Sequence, residues 1–94
     1  MATLYLPDGT EKEVTPADGH SFTLEEIQAF VGGYFETVFL PGKKIMWINE
    51  EGKLRNLPLN RQASIFYHAP GDVILGPALV TTIENTGTDE ERTY

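Results

Sequence analysis

Turn-forming residues cut this chain into short pieces. Pro7-Asp8-Gly9, Gly32-Gly33, Pro41-Gly42, Pro70-Gly71-Asp72 and Gly76-Pro77 fall at intervals along all 94 residues. Proline pre-sets φ and glycine supplies φ > 0, so each cluster reverses or interrupts the backbone. Between these breaks the chain reads as a set of short strands with one or two short helices.

The segments have recognisable periods. Thr3–Leu6 and Glu11–Thr15 flank the first turn and read as a hairpin. Thr23-Leu24-Glu25-Glu26 is a capping box, so a helix runs from Leu24 to Val31 and ends at Gly32-Gly33. Tyr34–Leu40 and Ile45–Asn49 read as a central hairpin, rich in aromatic and β-branched residues. Asn60 is an N-cap for a short helix from Arg61 to Tyr67. Val73–Leu75 and Ala78–Ile83, split by Gly76-Pro77, read as one kinked strand. The order β-β-α-β-β-α-β defines an α+β domain, an antiparallel-rich sheet with a helix or two against one face. Residues 1–84 form this domain, and residues 85–94 read as an acidic tail without fixed structure.

A core is available, because 40% of the residues are hydrophobic. Cysteine is absent, which removes disulfides, thiolate catalysis and cysteine metal sites together. A small domain without such staples gains from association, so a homo-oligomer is expected. The N-terminus lacks a basic region and a long apolar core, and no apolar run is long enough for a bilayer. The expected location is the cytoplasm.

Charge is segregated. Residues 1–40 carry one lysine and seven acids, and residues 69–94 one arginine and five acids. Between them, residues 41–68 gather five cations against two acids: Lys43, Lys44, Lys53, Arg55 and Arg61. The total is −7, which opposes general nucleic-acid binding. A small anion, or a protein with a basic surface, remains open.

Several residues are candidates for holding such an anion. Lys53, Arg55 and Arg61 surround Leu57-Pro58-Leu59, and guanidinium forks suit phosphate. Asn49 and Asn60 offer amides for polar edges. Tyr34, Trp47 and Tyr67 offer rings for stacking. Each has a plainer role. Trp47 fits a core strand, the cations fit a solvated loop paired with Glu50 and Glu51, and Asn60 fits a cap. If Phe35 points inward, Tyr34 and Glu36 are exposed, and alternation alone leaves that choice open. Gly32-Gly33 follows a helix and precedes a strand, the reverse of a phosphate cradle. His20 and His68 have no triad spacing, and Glu50-Glu51 lacks the ligand ladder of a calcium loop. Neither catalysis, a metal nor a cofactor is expected.

Five runs, taken together, resemble one family. They are Leu24-Glu25-Glu26-Ile27, Val31-Gly32-Gly33-Tyr34-Phe35-Glu36, Asn49-Glu50-Glu51-Gly52-Lys53-Leu54, Leu57-Pro58-Leu59-Asn60-Arg61 and Asp72-Val73-Ile74-Leu75-Gly76. The chain is similar over residues 3–84 to the domain of unknown function 3846 family, small proteins of phages, plasmids and conjugative elements. The aromatic cluster Phe66-Tyr67-His68 and the length of the tail depart from the usual pattern. The resemblance brings no catalytic residues. It implies an accessory protein in a bacterial host cell, of a kind that often counters host defence. The expectation is a non-enzymatic protein that sequesters a small nucleotide-like anion, such as a cyclic ADP-ribose isomer or a cyclic dinucleotide. The alternative is an acidic inhibitor that covers a basic surface of a host defence or nucleic-acid enzyme. An accessory role outside defence also fits.

Overall fold

The capping box at Thr23 closes as the residue types demand. The computed structural model describes residues 2–66 and 72–82, and in it helix α1 spans Leu24–Val31. Thr23 Oγ1 accepts from the Glu26 N–H at 3.1 Å, and Glu26 Oε1 accepts from the Thr23 N–H at 2.8 Å. The second Glu26 oxygen accepts from the Ala17 N–H at 2.9 Å and ties the preceding loop to the helix. These donors, that of Thr23 foremost and that of Ala17 next, hold the Glu26 carboxyl below its usual range. At the other end Gly32 is left-handed, with φ 86°. Its N–H and that of Gly33 both reach the Gln28 carbonyl, at 2.8 and 3.0 Å.

The strands are β1 (Ala2–Tyr5), β2 (Glu11–Val14), β3 (Phe35–Leu40), β4 (Lys44–Asn49) and β5 (Ala78–Thr82), and a second helix, α2, covers Arg61–Phe66. They form one sheet in the order β2-β1-β5-β4-β3. Every neighbouring pair is antiparallel. The α+β class and the order β-β-α-β-β-α-β therefore stand.

The layers differ from expectation. Ile45 to Asn49 is buried without a break, so β4 needs cover on both faces. Ile45 and Trp47 join Leu4, Leu79, Phe22 and the α1 residues Ile27 and Val31 in one cluster. Met46 and Ile48 join Ala63 of α2, Ile74 and Ala78 in another. The helices thus sit on opposite faces, not on one.

Two further differences follow from local chemistry. The Val73–Ile83 stretch is not one strand. Gly76 takes φ 93° and Pro77 has no N–H to donate, so β5 begins only at Ala78. Upstream of that break, Leu75 makes an isolated antiparallel bridge with Leu59. The choice between Tyr34 and Phe35 is also decided. Phe35 lies edge-on to Trp47, with ring centroids 4.9 Å apart and planes at 81°, while Tyr34 precedes the strand and is 71% exposed. The end of the second helix at Tyr67, the end of the domain at residue 84 and the tail at 85–94 fall outside the described residues.

Candidate functional site

The stretches 49–60 and 72–76 interlock. Asn49 is buried. Its amide N–H donates to the Val31 carbonyl at 3.1 Å, and its Oδ1 accepts from the Glu51 N–H at 2.8 Å. Gly52 lies so close to the neighbouring backbone that a Cβ there would sit 2.7 Å from the Leu75 carbonyl oxygen. A Cβ on Gly76 would meet Leu57 Cδ1 at 2.7 Å. The Leu57 N–H donates to the Gly52 carbonyl and the Gly76 N–H to the Pro58 carbonyl, at 3.0 and 2.7 Å.

Asn60 is the hub of this region. It has no exposed surface. Its Nδ2 donates to the carbonyls of Tyr5 and Gly76 at 2.9 and 2.8 Å. Its Oδ1 accepts from the Ala63 N–H at 3.1 Å, which caps α2. Its backbone N–H donates to Ile74 at 2.9 Å. A single buried side chain thus joins β1, α2 and the turn before β5.

The cations of this region face different ways. Lys53 forms an ion pair with Asp72. Arg55 reaches back and donates from Nη1 to the Gly32 carbonyl at 3.1 Å. Helix α1 has no basic residue in its last turn, so Arg55 supplies the positive charge that its C-terminus favours. Arg61 is exposed at the start of α2.

Several of the residues anticipated for an anion site are thus engaged within the fold, while Asn49 and Lys53 line one cleft. Trp47 is fully buried and donates its indole N–H to Thr81 Oγ1 at 3.0 Å, so it presents no face for stacking. Asn49 and Asn60 spend their amides within the fold. Lys53 and Arg55 share a turn but point to Asp72 and to Gly32, and Arg61 belongs to another element. Tyr34 stays exposed beside Gly33, and an added Cβ on Gly33 would lie 3.5 Å from Arg55 Nη1. Tyr67 lies outside the described residues.

The described residues form a cleft of about 120 Å³ at the open end of the β3–β4 hairpin. Glu36, Ile48, Glu50, Lys53, Leu54 and Val73 line it, among others. Glu36 and Ile48 are direct cross-strand partners. Leu54 is 87% exposed and Val73 41%, so two aliphatic side chains stand in solvent at its wall. Lys53 is balanced by Asp72, which leaves Glu36 and Glu50 to set the sign of the rim. Such a cleft suits one long side chain with an apolar stem and a cationic head. Nucleotide-sized ligands occupy pockets of roughly 300 Å³ or more. Sequence reasoning missed Leu54 and Val73. The available signal was an apolar residue inside the charged run Glu50-Glu51-Gly52-Lys53-Leu54-Arg55, where no periodicity would bury it.

Among the described residues no group of three His, Asp or Glu converges as a metal site, and no helix is long and apolar enough to cross a membrane. No curated protein and no solved structure matches the chain. Its sequence does match a family profile, described as a domain of unknown function, over residues 1–93. The chain belongs to the domain of unknown function 3846 family.

Proposed function

We propose that this protein is a non-enzymatic binding module, an accessory protein of a phage or other mobile element, that docks on a basic surface of a host protein. The observation that carries this reading is the acid-rimmed, aliphatic-walled cleft beside β3. A lysine or arginine of the partner lays its stem on Leu54 and Val73 and brings its head to Glu36 and Glu50. The net charge of −7 speeds the approach to a basic surface. The cleft serves as a central anchor, and most of the binding energy of a protein interface commonly rests on a few such contacts.

A second reading keeps the small anionic ligand. It is supported by one observation, the exposed Tyr34 ring beside the Gly33 backbone and the Arg55 guanidinium. One ring and one cation from each copy make a ligand site only if several copies combine, so this reading requires an oligomer.

A single experiment separates the two. Amide shifts of the labelled protein are followed as Nα-acetyl-arginine amide or a cyclic dinucleotide is added. The first reading predicts saturable shifts at Glu36, Glu50, Leu54 and Val73 with the arginine probe, lost in Glu36→Lys/Glu50→Lys. Shifts at Tyr34, Gly33 and Arg55 with the dinucleotide would replace it with the second. No shift with the arginine probe at millimolar concentration would contradict the first.

A further inference from the structure

The two edges of the sheet are built differently. Edge strand β2 reads Glu11-Lys12-Glu13-Val14 and carries the charges that discourage edge-to-edge pairing. Edge strand β3 reads Phe35-Glu36-Thr37-Val38-Phe39-Leu40. It has one charge and no proline, and its paired register with β4 runs through every residue without a bulge. Phe39 is 67% exposed on it.

The hydrogen-bond phase of this edge can be read directly. The Glu50 N–H donates to the Tyr34 carbonyl at 3.0 Å, and position 34 lies opposite position 50 when the β3–β4 register is extended by one residue. In an antiparallel pair the residues that exchange bonds alternate with those that do not. Glu36, Val38 and Leu40 therefore bond inward to β4. Phe35, Thr37 and Phe39 direct their N–H and C=O groups outward, where no strand follows among the described residues.

We propose that a second copy of this chain covers the edge, with β3 pairing antiparallel to the partner's β3 across a twofold axis at Thr37. This register is favoured for three reasons. It sets Thr37 opposite the partner's Thr37 and Phe35 opposite the partner's Phe39, so all the outward-directed residues meet one another. Shifting it by two residues in either direction loses one of those bonded pairs. One of those shifts also places Glu36 opposite the partner's Glu36, where like charges repel. The chosen register forms two aromatic cross-strand pairs and covers Phe39 with the ring that already packs on Trp47.

Charge agrees with this arrangement. The turn end of the β3–β4 hairpin carries Lys43 and Lys44, and its open end carries Glu36, Glu50 and Glu51. Antiparallel association lays each cationic end beside the partner's acidic end. Lys44, Glu36 and Glu50 lie on the same side of the sheet, since they share even positions in the paired register. The proposal shares Glu36 and Glu50 with the cleft rim but does not require that a host cation occupy the cleft. It leaves both copies' clefts on one face of a continuous ten-stranded sheet, two sheets of five joined at their edges.

The chain has no cysteine, so a single introduced thiol reports the register. Residues opposite each other in a bonded antiparallel pair have Cα atoms about 5.5 Å apart, within the range a disulfide spans. Under mild oxidation Thr37→Cys should run as a cross-linked dimer, and Val38→Cys, which faces the partner's Glu36, should form little cross-linked species. By analytical ultracentrifugation the unmodified chain should approach twice its 10.5 kDa mass as concentration rises. Phe39→Lys, on an exposed position, should remain monomeric with an unchanged circular dichroism spectrum. A monomer at millimolar concentration, or a dimer unaffected by Phe39→Lys, would overturn the proposal. Faster cross-linking of Val38→Cys than of Thr37→Cys would overturn the register.

Discussion

Asn60 and Glu36 are both polar residues of runs that resemble the family pattern, yet the fold treats them in opposite ways. The region around Asn60 turns its polar groups inward. Amides, carbonyls and two glycines there are consumed by contacts between β1, α2 and the turn before β5. The region around Glu36 turns them outward. Its carboxylates rim a cleft, its aliphatic residues stand in solvent, and its strand ends the sheet. The difference teaches that a motif rich in Asn, Gly, Lys and Arg can describe an architecture. The groups left for a partner are those the architecture does not use.

Substitutions can break this contrast, and the largest effect belongs to Asn60. Asn60→Ala removes three side-chain hydrogen bonds in a buried site and strands their partners. The expected loss is about 3–5 kcal/mol, a large part of a small domain's stability. A thermal melt should show the fold lost or its midpoint lowered by well over ten degrees. A shift of only a few degrees would mean that the hub carries little.

Gly52→Ala comes next. The added methyl would sit 2.7 Å from a backbone oxygen, which cannot swing away as a side chain can. A loss of about 1–3 kcal/mol is expected in urea unfolding. Gly9→Ala is a control, because Gly9 has open space around it and only its φ of 93° resists the change. Its cost should be smaller, and equal costs would assign the Gly52 effect to backbone conformation instead of close approach.

Arg55→Met sharpens the contrast from the other side. It keeps the apolar stem and deletes the charge and the bond to the Gly32 carbonyl. A loss of roughly 0.5–1.5 kcal/mol is expected, since the group is exposed. No loss would return Arg55 to the list of groups available for a ligand.

The smallest effect is that of pH on the α1 cap. The Glu26 carboxyl is held down in the folded state, first by the Thr23 N–H and then by that of Ala17. A depressed folded value means its contribution is complete above the unfolded value and disappears as pH falls through the folded one. Asp8 and Asp18 shift the same way, Asp8 through its bonds with Thr10 and Asp18 through the N–H groups of His20 and Ser21. Melting temperatures should therefore decline as pH falls below about 4. Glu26→Gln should shallow that decline, and an unchanged slope would remove the cap from the account.

Legibility in the sequence followed the range of the interactions. Thr23, Glu26 and Gly32 act within one helix, and the bounds of α1 could be read to the residue. The β3–β4 hairpin was equally local. Asn60 could be read as a cap because that bond spans three residues, but its bonds to Tyr5 and Gly76 span 55 and 16. Gly76 reads as a turn residue, and only the approach of Leu57 shows why a side chain is excluded there. The cations cluster in sequence, but Asp72 and the Gly32 carbonyl engage two of them, which no local pattern announces. The cleft joins side chains from β3, β4 and two turns, and no local period could announce it.

Equilibrium urea unfolding of Asn60→Ala beside Glu36→Lys/Glu50→Lys tests the division between inward and outward polar groups most directly. The account predicts that the first variant loses about 3 kcal/mol or more, while the second stays within about 0.5 kcal/mol of the unaltered protein. A stable Asn60→Ala together with a strongly destabilised cleft variant would contradict it, and would make the acid rim part of the fold.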